Sequence, residues 1–285
     1  MNKGSLGSVL GAAVLFACGG GAAKSVAGDD GTADAGNASV SFQNVGSITA
    51  GWGYDLAPVQ SAAAGFAVFG ASPSEPGLER STWSCRAQRD VGACHVSTCG
   101  VVPSASSTPS AGTITIGDAA LSFPLAWTPL FADFEGGWVD GGAPWPAGSV
   151  LTVKASGGDV PAFETTTTVP TDLVLTTPDP TSSSITINRA AGFALAWKVD
   201  DGDVIGELSG TSNDADAGSS SLLLACRFPR SAGGATIPPD ALSDFAPQAA
   251  LVRIWSSTTA TVTAGAYSVD VSSNGAGVTG VASLE

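Results

Sequence analysis

From Ser39 onward the chain alternates short β-prone runs with turn residues, and this pattern admits few fold classes. The runs cover 40–49, 66–71, 82–88, 94–99, 113–116, 150–155, 173–176, 184–188, 193–199, 204–208, 222–228, 251–263 and 267–272. Alternation is cleanest in Thr113-Ile114-Thr115-Ile116 and Ser184-Ile185-Thr186-Ile187. Successive strand side chains face opposite sides, so the isoleucines pack inward and the threonines meet water. No window carries a sustained helical stripe. The best helical stretch is a turn or two near Pro239 to Phe245, where Pro239 suits a first helical position.

Many short strands at regular spacing predict an all-β fold, an antiparallel β-sandwich of Ig-like or jelly-roll-like kind with little helix. Thr177-Pro178-Asp179-Pro180-Thr181 is the most linker-like interior stretch. It allows either one large sandwich or two closely tied ones, over 39–177 and 178–285. A short pattern, Ala147-Gly148-Ser149-Val150 and Ala264-Gly265-Ala266-Tyr267, marks two places where a turn runs into a strand.

Composition supports a folded body with few charges. Of 285 residues 44% are hydrophobic and only 13% charged, so bulk disorder is excluded and polarity falls to Ser, Thr, Gly and Asn. The 37 Gly and 17 Pro fit many turns. A formal net charge of −14 repels phosphate backbones, which excludes nucleic acid as a partner.

The first residues have a different character. Met1-Asn2-Lys3 carries one positive charge, and the apolar run from Ser5 to Ala17 is too short to span a bilayer. This is the shape of a signal peptide over residues 1–17. It ends in Leu15-Phe16-Ala17-Cys18, followed by Gly19, and this resembles the lipobox of bacterial lipoproteins; Phe16 departs from the usual small residue at a tolerant position. The resemblance implies cleavage before Cys18, lipid on its sulfur and acylation of the new amine. Several acyl chains exceed what stable anchoring needs, so membrane attachment through lipid follows. Gly19 rather than Asp after the cysteine points to the outer membrane, on its periplasmic face or the cell surface. Residues 18–38 then read as the lipidated Cys and a flexible tether. Asp29, Asp30 and Asp34 in it lack a closing carboxylate at calcium-loop spacing.

Four other cysteines remain: Cys85, Cys94, Cys99 and Cys226. An even number in an exported chain reads as two disulfides, with three connectivities open. Three of the four lie in one hairpin-like segment, so at least one bond must reach Cys226. Closing so long a loop is worth roughly 4 to 5 kcal/mol in the chain-entropy picture. The Cys94-His95-x-x-x-Cys99 spacing matches zinc knuckles poorly, and neither a metal nor a cofactor is expected.

Signals of chemistry are sparse. His95 is the one histidine, set between two half-cystines, and no Gly-x-Ser-x-Gly elbow accompanies it. Asp200, Asp201 and Asp203 read as a tight strand connection before a calcium or catalytic cluster. The richest stretch is Phe131 to Gly148, FADFEGGWVDGGAPWPAG, which its Gly and Pro mark as irregular. Trp138, Trp145 and Phe134 beside Glu135 and Asp133 would suit a sugar or cationic ligand if the loop faces solvent. Folding back over the core is the other reading. Trp52 and Tyr54 form a smaller patch, while Trp83, Trp127, Trp197 and Trp255 are expected in the core.

The body resembles, in style, predicted lipoproteins of myxobacteria and related high-GC bacteria. The resemblance lies in the Cys-rich hairpin, Ser110-Ala111-Gly112-Thr113-Ile114-Thr115-Ile116, Ala155-Ser156-Gly157-Gly158-Asp159-Val160-Pro161-Ala162-Phe163, and Cys226-Arg227-Phe228 with Thr236-Ile237-Pro238. It carries no activity. The sequence thus predicts a lipid-anchored envelope protein with a non-enzymatic body that binds a glycan or protein, or serves structurally. The rival is a carbohydrate-active or other hydrolase using Asp133 and Glu135 as acid and base.

Overall fold

A computed structural model of the chain describes residues 44–50, 53–54, 60–71, 83–101, 109–128, 133–140, 145–180, 185–213 and 221–285. Cys18, Trp52 and the tether lie outside them. Strand is the dominant structure among the described residues, as the period-two pattern predicts.

The strands in chain order are β1 (Asn44–Ala50), β2 (Gly53–Tyr54), β3 (Gln60–Ala71), β4 (Trp83–Val91), β5 (Cys94–Val101) and β6 (Ile114–Gly117). Next come β7 (Ser122–Thr128), β8 (Asp133–Asp140), β9 (Val150–Ala155), β10 (Phe163–Thr168), β11 (Val174–Thr177) and β12 (Ile185–Ile187). The remainder are β13 (Phe193–Lys198), β14 (Asp203–Thr211), β15 (Ser221–Phe228), β16 (Gly234–Ile237), β17 (Ala249–Ala264) and β18 (Tyr267–Leu284). One helical turn, α1 (Pro239–Leu242), starts with Pro239 at its first position, where a missing N–H costs nothing.

Fifteen strands join in one sheet, along the path β10-β9-β6-β7-β8-β3-β1-β18-β17-β14-β15-β5-β4, with β12 beside β18 and β2 beside β3. Pairing is antiparallel except where β1 and β12 run parallel to β18. A second sheet, β11-β13-β16, packs against one flank of the first. Between these two layers lie Leu175, Phe193, Leu195, Trp197 and Ile237 on the small sheet and Val204, Leu208, Leu224, Val252 and Ile254 on the large one. Gly206 lies in this interface, where a Cβ would stand in ordinary contact, 3.5 Å from Leu195 Cδ1. This is a β-sandwich.

The other end of the path curls around a second core, built from Ile114, Ile116, Leu125, Leu151, Val153, Val269 and Val271. The curl brings β10 back against β17, where Thr167 and Thr258 hydroxyls meet at 3.2 Å and Thr258 donates to the Thr168 carbonyl. The two cores share one element, the long β17–β18 hairpin. Its early β17 and late β18 residues line the first core, and the residues nearest its turn line the second. The stretch 177–181 does not separate the cores: Leu175 before it and Ile185 after it belong to the same one.

Between the cores the spine is polar. Ser256, Ser257, Ser273 and Thr167 are all buried. Here Trp255 pairs with Gly277 and Ser257 with Asn274, so β18 carries one residue more than β17 over this step. The surplus turns Ala276 toward the crossing segment after β10: its N–H donates to Asp172 Oδ1 at 3.1 Å, and its carbonyl accepts from Leu173 N at 3.0 Å. Ser256 Oγ donates to the Thr171 carbonyl at 2.6 Å.

Candidate functional site

The disulfide expectation is met at the far edge of the sheet. Cys94 on β5 and Cys226 on β15 are bonded across 132 residues of sequence. Cys99 is disulfide-bonded as well, and the β4–β5 ladder places Cys85 directly opposite it. Strand β5 is therefore held to β15 by the Cys94–Cys226 bond. Arg89 fastens the same hairpin to the end of α1, with Nη2 donating to Asp244 Oδ2 at 2.9 Å and to Ser243 Oγ at 3.0 Å.

His95 sits on this hairpin, half-exposed, with Nδ1 2.6 Å from Asp90 Oδ1 on the paired position of β4. The pair spans the two-residue turn Gly92-Ala93, where Gly92 takes a positive φ of 61°. The 200–203 acids do turn work. Asp201 Oδ1 accepts from Thr171 N at 2.6 Å and Thr171 Oγ1 at 2.8 Å, and Asp203 Oδ2 accepts from Arg227 Nε at 2.6 Å. The Asp200 carbonyl accepts from Arg230. Among the described residues no group of three or more His, Cys, Asp or Glu could hold a metal ion.

The aromatic stretch is organised differently from the expected loop. Asp133–Asp140 is strand β8, paired with β3 on one side and β7 on the other, despite Gly136 and Gly137. Pairing on both sides supplies the ladder bonds that overrode the turn chemistry. Within β8, Phe134 stands opposite Trp127 of β7 and Ala67 of β3, and Trp138 opposite Ala63, while Glu135 stands opposite Ala126 and Phe66.

Trp145 requires a correction of its own. It is 4% exposed in the second core, edge-on to Phe123 at 5.6 Å between centroids, with its indole N–H donated to the Leu121 carbonyl at 3.2 Å. A ring so enclosed offers no face to a ligand, and of the two readings for this residue, the fold-back one holds.

The segments that carried the resemblance pack on each other. Gly157 N donates to the Ala111 carbonyl at 3.0 Å and Val160 N to that of Ser110 at 3.0 Å. Ser156 Oγ accepts from Thr113 N at 2.8 Å, and Asp159 Oδ2 from Ser110 N at 2.9 Å. Gly112 has φ of 73°, and a Cβ there would lie 2.3 Å from the Gly157 carbonyl. These glycine-rich patterns are a latch between two loops.

Sequence reasoning placed Trp255 in the core, and the structure does not. Val252 and Ile254 face the first core, so Trp255 stands on the opposite side of β17, partly exposed. The signal was present in Leu251-Val252-Arg253-Ile254-Trp255-Ser256: Arg253 shares a side with Trp255, and a core side does not take an arginine.

No family model and no curated protein matches this chain.

Proposed function

We infer that the protein is an exported bacterial lipoprotein, anchored through lipid on Cys18, whose all-β body acts outside the cytoplasm by binding or as a structural component of the envelope. Two features of independent origin support this. Leu15-Phe16-Ala17-Cys18 closes a short apolar leader at the right distance from Met1. Cys94–Cys226 is a buried disulfide, a bond that persists in oxidising compartments and is rare in the cytosol. The disulfide carries the compartment, and the leader carries the anchor.

A role without catalysis is the better match for the described side chains. The lone histidine is engaged by Asp90, and the acids of the 200–203 turn are committed to holding loops. The outer membrane, on either face, is the destination that Gly19 favours.

Metabolic labelling with palmitate tests the anchor. The wild-type chain takes up label and floats with membranes, and Cys18→Ala does neither. Equal labelling of both chains overturns the reading.

A further inference from the structure

We propose that the end of the second core around Tyr267 is the surface that seats on the bilayer, against its head groups. This rests on the reading of Cys18 as the lipid anchor and names the part of the body that meets the membrane.

The point where the chain enters the body decides between its two ends. Asn44, the first residue of β1, stands opposite Tyr267 at the turn of the β17–β18 hairpin and not at its open end. Residues 19–43 lie between the anchor and this point, and as the tether that their composition implies they cover about 25–30 Å. The hairpin itself runs for about 50 Å, at ~3.3 Å for each of the 16 residues of β17. A tether of this reach holds the turn end close to the lipid. It brings the open end there only when drawn out well beyond its relaxed length, which costs chain entropy.

The chemistry of the turn end suits a bilayer surface. Three described segments form it: the turn 264–267, the loop 156–162, and the segment 110–113 latched to that loop. Turn and loop meet at Gly265, where a Cβ would stand 2.8 Å from Pro161 Cγ. Gly158, Pro161, Ala162, Gly265 and Ala266 are exposed. Across these described segments Asp159 is the single charged residue, and its Oδ2 accepts from Ser110 N at 2.9 Å. Tyr267, packed against the second core, adds an amphipathic ring of the kind favoured at head-group depth.

The open end of the hairpin is unlike it. Asp240 and Asp244 lie in the segment leading into β17, with Arg89 bonded to Asp244 at 2.9 Å. Arg189 N donates to the Glu285 carbonyl at 2.9 Å, just past the end of β18. Drying this group of charges against lipid costs far more than drying Asp159 alone. The net charge of −14 keeps the acidic faces off anionic lipid, and the turn end carries little of that charge.

The test places the full-length lipidated protein in phosphatidylcholine vesicles and reads amide hydrogen exchange against Cys18→Ala protein mixed with the same vesicles. Exchange over 157–162 and 264–267 should slow by roughly threefold or more in the wild type, with 239–245 unchanged. Ala266→Asp and Pro161→Asp each put a carboxylate into the seat. Both should return exchange to the Cys18→Ala rate while palmitate uptake and flotation with vesicles persist. Equal exchange at the turn end in wild type and Cys18→Ala overturns the proposal. Slowing at 239–245 instead, or slowing that survives both Asp variants, does so as well. A wild-type chain that takes up no palmitate and does not float removes anchor and seat together, whereas flotation without slowing removes the seat alone.

Discussion

Cys94 and Cys226 face each other across the β5–β15 ladder, joined by a disulfide although 132 residues separate them in sequence. The chain between them supplies most of the second core and most of the small sheet. The bond thus closes a loop that contributes to both hydrophobic cores, and its partners are both buried.

Replacing both cysteines by alanine should lower stability by roughly 4 kcal/mol in the chain-entropy picture, measured by urea unfolding. A loss under about 1 kcal/mol would mean the unfolded chain is already compact around this contact. That a bond reaches Cys226 has its own check. Mild acid in denaturant splits the Asp179–Pro180 bond, which lies between the two cysteines. The two pieces should migrate together until reductant is added.

Trp145→Ala should cost about 3 to 5 kcal/mol, because an enclosed ring leaves a cavity and the Leu121 carbonyl loses its donor. Val150→Ser, at a position 55% exposed on the neighbouring strand, should change stability by less than about 0.5 kcal/mol. Similar values for the two would place Trp145 on the surface after all.

The polar seam predicts a cost for a single methyl. At Gly275 a Cβ would meet Ser256 Oγ at 2.5 Å and the Thr171 carbonyl at 2.9 Å. Gly275→Ala should destabilise by about 1 to 3 kcal/mol through overpacking. Asp201→Ala, which strips Thr171 of two hydrogen bonds, should cost about 1 to 3 kcal/mol. Since both act on the Pro170–Asp172 crossing, the double variant should fall short of the sum of the two, and strict additivity would refute a shared structure there.

Tyr267, beside the hairpin turn, has its pKa raised above 10.0, chiefly by burial and secondarily by the charge of Asp159. The folded state therefore holds this proton more tightly than the unfolded one. Its contribution to stability is complete below pH 10.0 and is lost as pH climbs through the folded value. An absorbance titration of a Tyr54→Phe background should show the remaining tyrosine ionising late, and Asp159→Asn should bring it part of the way back. An ordinary midpoint in the folded protein would dismiss both causes.

Much of the strand map was legible because a strand's own alternation is local. Runs such as Thr113 to Ile116 and Phe193 to Val199 became β6 and β13 with their buried sides as the pattern predicted. Two of the unrecognised strands share a reason. β7 contains Pro124 and β8 two adjacent glycines, residues that read as breakers. Pro124 is tolerated because it precedes the stretch of β7 that pairs with β8, where the strand has a neighbour on one side only. The second half of β18, SNGAGVTGVASL, reads as loop by composition. It is strand because β17 pairs along it, and its glycines are required where Trp255 and Ser256 crowd it.

Sequence by itself determined the all-β class, the position of most strands, the single helical turn at Pro239 and the need for a bond reaching Cys226. These follow from local backbone preference and from counting thiols. Only the tertiary structure decided that one long hairpin serves two cores, that Asp133–Asp140 is a strand and not a loop, that Trp145 is core, and that Trp255 is not. Each of these depends on which strands become neighbours and which side of the sheet meets the core, and that choice is made by contacts between residues far apart in the chain.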